Sequence, residues 1–174
     1  MEGAALIADA LSRVRDTLHR CLPGVDAETL RKMPSADANS MAWLAWHLTR
    51  VQDNHLSGLA GREAAWTAEG WHERFGMPSA NDVGFGWTPA QVAEFSVESA
   101  DLLLAHHDAV FSRSKEYLAA LRPEDLDHVL DESQWDPRPT VAVRLVSVVN
   151  DNTQHAGQVI YLRGHWHGFG WQNA

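Results

Sequence analysis

Four separate stretches of this 174-residue chain repeat apolar residues every three or four positions, the spacing of one face of an α-helix. Residues 3–21 place Leu6, Ala10, Val14, Leu18 and Cys21 on such a stripe and end before Pro23-Gly24. A second stretch starts from a cap at Asn39 or Ser40 and ends near Gly58 to Gly61. A third opens at Thr88-Pro89-Ala90-Gln91, a capping-box pattern with proline at the first helical position, and is expected to run to about Leu121. The fourth spans 141–163 behind a threonine cap at Thr140 and is expected to stop at Gly164. Short helical turns are expected over 26–32 and 123–128. Residues 61–87 show no period, and neither does the glycine- and aromatic-rich tail. With no stretch alternating convincingly as a strand would, the expectation is an all-α four-helix bundle. It forms one domain over residues 1–174, with a long connector between its second and third helices and an irregular C-terminal tail.

Composition narrows what such a bundle can do. Fourteen Lys and Arg against 23 Asp and Glu give a net charge of -9, which opposes binding to nucleic acid or to anionic lipid. The one cysteine, Cys21, cannot form an internal disulfide, and it lacks the neighbouring base that would mark a nucleophile. No apolar run approaches a membrane span, and the first residues lack the basic start and apolar block of a secretory signal. A cytoplasmic protein is the expectation.

Polar groups interrupt the apolar stripe of the fourth helix, which runs through Leu145, Val148, Asn152, His155, Val159 and Leu162. Asp151 and His155 are four apart, so both lie on one face, near enough to chelate one ion. By itself this pair is equally ordinary helix chemistry. The second helix adds His47, on a stripe with Ser40, Trp43, Leu44 and Val51. Three metal-competent groups pointing into one bundle would leave a buried carboxylate in need of partners, and a divalent cation satisfies all three. Two histidines and one carboxylate leave positions for water or substrate, and they suit zinc, nickel or iron.

The segments NSMAWLAWHLTRVQDNHL and, about a hundred residues on, DNTQHAGQVIYLRG resemble the DinB/YfiT-like metalloenzyme superfamily over nearly the whole chain. That group includes mycothiol-dependent transferases and proteins like the N-terminal domain of maleylpyruvate isomerase. The resemblance implies a four-helix bundle whose metal is held by His47, Asp151 and His155. Many members have histidine, and related mycothiol-dependent enzymes glutamate, where this chain has Asp151. The shorter aspartate leaves two roles open, direct ligand or partner that orients a histidine. The resemblance further implies a small-molecule thiol such as mycothiol as cosubstrate, a small electrophile as its acceptor, and a homodimer.

The expected activity is therefore S-transfer through a metal-activated thiolate. The alternatives are a non-catalytic, stress-related metal-binding homodimer and a metal-dependent hydrolase. Trp43, one turn before His47, His106 on the third stripe and Gln158 near His155 are further pocket candidates. A neighbour's hydrogen bond is expected to satisfy His106 in the core. His19, His55, His72, His107 and His128 are expected to be solvated, and His165 and His167 match no closed metal site. The 61–87 connector is placed to cover the mouth of the cavity.

Overall fold

A computed structural model describes residues 2–168 and 170–171. Its long helices are α1 (Gly3–Cys21), α3 (Met41–Leu59), α7 (Ala100–Ala120) and α8 (Val141–His167). Between them lie the short helices α2 (Ala27–Arg31), α4 (Ala65–Ala68), α5 (Trp71–Arg74) and α6 (Pro89–Glu94), and a 3₁₀ turn at Pro123–Asp127. Both α1 and α3 pack against α7 and α8, so α1 and α3 sit on one diagonal of a four-helix bundle. Among the described residues there is no strand, only an isolated bridge between Val129 and Thr140. No described helix is long and apolar enough to cross a membrane.

The helix starts follow their capping residues. Ser40 accepts from the Trp43 amide, Thr140 from that of Val143, and Thr88 and Gln91 form the reciprocal box. Two boundaries differ from the sequence reading. The third stretch breaks after Glu94, because Phe95 and Val97 are both buried and residues two apart cannot share a helical face. Extended backbone carries Phe95 onto Trp46, with ring centroids 5.0 Å apart, before Ser99 starts α7. The last helix does not stop at Gly164. It runs one turn further, to a Gly168 with φ 71°, which lets Trp166 pack on the core beneath the Lys32 ammonium, 4.3 Å away. The remainder of the tail, at 169 and 172–174, lies outside the described residues.

Helix α3 is buried on every side from Met41 to Asp53, so its polar side chains need partners within the protein. The Gln52 amide accepts from Asn152 of α8 at 2.8 Å and donates to Ser114 of α7 at 2.9 Å, joining three helices. Thr49 spends its one proton on the Ala45 carbonyl and so accepts from Nδ1–H of His107 at 2.9 Å. His107 is thus fully buried, contrary to the solvated placement expected, as α7 turns it onto α3. His19 and His72 are half-buried as well, bonded to Asp108 and to the Trp66 carbonyl, while His128 is exposed.

Burial pushes the His107 pKa down from 6.5 to about 4. The folded state then binds fewer protons than the unfolded chain, so stability present above pH 6.5 is lost as pH falls towards 4. The part lost by pH 5 is about 2 kcal/mol. Asparagine at 107 can still donate to Thr49. Urea unfolding of His107→Asn at about pH 7.5 and pH 5 should therefore show a pH-dependent loss about 2 kcal/mol smaller than in wild type. An equal loss in both proteins would show that His107 is not the group responsible.

Candidate metal centre

His47, Asp151 and His155 meet where α3 and α8 face each other. One potential ligand atom from each lies within 4.8 Å of the other two. Asp151 Oδ2 is 3.9 Å from His47 Nε2 and 3.5 Å from His155 Nε2. The opposite ring nitrogens face acceptors: His47 Nδ1 donates to the Val83 carbonyl, and His155 Nδ1 donates to Gln158 Oε1 at 2.7 Å. Each neutral imidazole therefore carries its proton on Nδ1 and turns a bare Nε2 lone pair towards Asp151. Asp151 Oδ1 is itself buried without a hydrogen-bond partner among the described residues. Three lone-pair donors converging in a half-buried site repel one another unless a cation lies between them, so the residues present fit a divalent metal.

The ring orientations are enforced by packing. Trp43 stacks on His47 with centroids 4.5 Å apart and planes 8° from parallel, and its edge meets His155 at 6.2 Å. Burial lowers the His47 pKa, outweighing the Val83 bond and the Asp151 charge, which keeps this imidazole neutral. Burial also disfavours charge on His155, but its hydrogen bonds to Asp151 and Gln158 prevail and raise its pKa. A proton on His155 and a metal ion are thus alternative ways to satisfy the same carboxylate.

The cluster is open. It borders a cavity of about 240 Å³ lined by His47, Val51, His55, Val83, Phe85, Ser147 and Asp151. The 61–87 connector reaches the site as expected of a cover, through Val83 on His47 and an exposed Phe85 beside the cavity. Its path is held by Asp82, which accepts from the Gly84 amide at 2.7 Å and the Trp87 indole at 2.9 Å. It is also held by Asn81, which accepts from Arg50 at 3.3 Å.

The other pocket candidates divide. Trp43 and Gln158 touch the histidines of the cluster. His106 does not line the cavity and lacks the expected hydrogen bond. It is enclosed by Trp66, Trp71 and Phe75, and neither ring nitrogen has a partner among the described residues. His55, expected to be solvated, is half-buried and lines the cavity. The signal for it was present in the sequence: at eight residues from His47 it continues the 47–51–55 stripe.

The helical bundle and the family match place the chain in the class of DinB/YfiT-like proteins. The chain belongs to the mycothiol S-transferase family, whose model matches residues 6–168. Among solved structures it is similar to the crystal structure of a conserved protein of locus from Enterococcus faecalis. The two are 30% identical with a TM-score of 0.87, covering 94% of this chain and 96% of that one. No curated protein matches the chain.

Gly84 offers a test of how the connector serves the cluster. Its φ is 84°, and a Cβ there would stand 2.7 Å from the Trp46 ring and 3.2 Å from that of Trp43. Gly84→Ala should destabilise the protein by about 2 kcal/mol and, by shifting the Val83 carbonyl off His47, weaken zinc binding about tenfold. Urea unfolding and competition with a zinc chelator measure the two effects. Unchanged zinc affinity in a destabilised variant would show that Val83 does not orient His47.

Proposed function

We propose that this protein is a metal-dependent S-transferase that joins a low-molecular-weight thiol of the mycothiol type to a small electrophile. His47, Asp151 and His155 would hold the ion. A dication bound by one carboxylate and two neutral imidazoles keeps a net positive charge, and so lowers the pKa of a thiol at the centre and favours thiolate at neutral pH. The protein's own groups prepare that centre. Val83 and Gln158 keep the ring protons on Nδ1, and Trp43 fixes the plane of His47. Asp151 supplies the negative charge that the two imidazoles lack. Phe85 and Val51 give the cavity apolar walls that can hold an electrophile's carbon skeleton close to the sulfur, while His55 and Ser147 offer hydrogen bonds to its polar end.

The observation that carries this reading is the convergence of three bare donor atoms beside an open cavity, in a chain of the mycothiol S-transferase family. Three protein donors with free positions suit a catalytic ion, whereas a purely structural ion is usually enclosed by four.

Elemental analysis of untagged protein tests it, together with conjugation of mycothiol to a fluorogenic bimane electrophile. Wild type should carry near-stoichiometric divalent metal and conjugate the thiol. His155→Ala and Asp151→Ala should lose the metal and fall to the uncatalysed rate. Metal retained in Asp151→Ala would make Asp151 an orienting partner of the histidines. No metal in wild type after reconstitution would overturn the metalloenzyme reading, and metal whose removal costs only stability would favour a non-catalytic role.

A further inference from the structure

Trp66, Phe75, Trp87 and Phe95 come from the connector and from the end of α6, and their rings converge on one space. Phe75 packs on Trp66 with centroids 5.5 Å apart, and Trp87 meets Phe95 at 6.3 Å. The fully buried Trp46 joins the two pairs, 6.1 Å from Trp66, 5.1 Å from Trp87 and 5.0 Å from Phe95. The four outer rings line a cavity of about 580 Å³, against about 240 Å³ at His47, and within the range of small-ligand pockets. The two cavities share no lining residue.

The charged side chains on its walls are both acidic: Asp82 and Glu94 line it, and among the described residues no arginine, lysine or histidine does. Asp82 accepts from the Gly84 amide and the Trp87 indole, neutral donors that leave its charge uncancelled. Glu94 is exposed, and neither carboxylate forms an ion pair among the described residues. Arg50 lies against the Trp66 ring, but Asp53 matches its charge at 3.0 Å. An anion here would meet two like charges, and a neutral hydrocarbon would leave both carboxylates without a partner. A cation gains from both kinds of wall, because the carboxylates attract it directly and an aromatic face carries the negative end of its quadrupole. Phe75 and Trp87 are half-buried, so part of each ring stays open to a ligand.

We infer that this cavity binds a compact organic cation, a quaternary or protonated amine, at a site apart from the candidate metal centre. Alkyl groups on the nitrogen match the rings, and the nitrogen's charge matches Asp82 and Glu94, so one small ligand satisfies the whole lining. The protein already uses the same attraction nearby: Arg50 lies 4.6 Å from the Trp66 ring centroid and Arg74 lies 4.3 Å from that of Trp71. The inference needs nothing from the transferase reading.

Titration calorimetry of the full chain tests the inference, with choline and with its uncharged isostere, in which a carbon replaces the nitrogen. Wild type should bind choline about tenfold more tightly than the isostere. Trp87→Leu should weaken choline binding about tenfold. Glu94→Gln, which alters only an exposed side chain and so keeps the fold, should weaken it about threefold. His155→Ala should bind choline as wild type does. Equal affinity for choline and its isostere, or no choline binding at all, would overturn the inference. So would wild-type choline affinity in Glu94→Gln or in folded Trp87→Leu. Loss of choline binding in His155→Ala would also overturn it, by moving the cation to the imidazole–carboxylate cluster.

Discussion

The buried ion pair between Arg50 and Asp53 organises the half of the molecule that carries the candidate site. Asp53 is 2% exposed and accepts from the amides of Ala65 and Trp66 at 2.8 and 2.9 Å, besides Ser57 and Arg50. Arg50, wholly buried, lies 4.6 Å from the Trp66 ring centroid. Burial lowers its pKa to about 10, which still leaves it charged at neutral pH. Leaving one member of such a pair alone costs about 3–5 kcal/mol. A connector without a period of its own is thereby held in one conformation, its start by Asp53 and its later part by Arg50 through Asn81.

That conformation is what completes the candidate metal centre. Two of its three groups come from one turn of α8, which any regular helix would bring together. The third depends on the connector, whose Val83 carbonyl takes the Nδ1 proton of His47 and sets the direction of its other nitrogen. The centre thus joins a helix-encoded pair to a loop-oriented histidine. The rigid helices supply position, and the connector supplies both the ring's orientation and one wall of the cavity.

The parts legible in the sequence are those encoded locally. Ser40, Thr88 and Thr140 announce helix starts because a cap bonds to the amide three residues on. The spacing of Asp151 and His155, and the stripe that turns His47 inward, follow from helical geometry alone. What stayed hidden depends on partners far along the chain. The break at Phe95 answers to Trp46, and the burial of His107 answers to Thr49. The extension of α8 past Gly164 rests on what Trp166 finds at Lys32. None of these residues carries its partner's identity in its own neighbourhood.

The hydrogen bond between Gln52 and Asn152 has a consequence for the precision of the whole assembly. An interface of purely aliphatic side chains lets one helix slide along another at modest cost, since apolar contacts are exchanged for similar ones. A displacement of α8 by one turn, about 5.4 Å, would strand two carboxamides in the core. It would also carry Asp151, the residue next to Asn152, away from His47. The amide pair acts as a register pin: a bond that takes no part in coordination sets the distance between the groups that would.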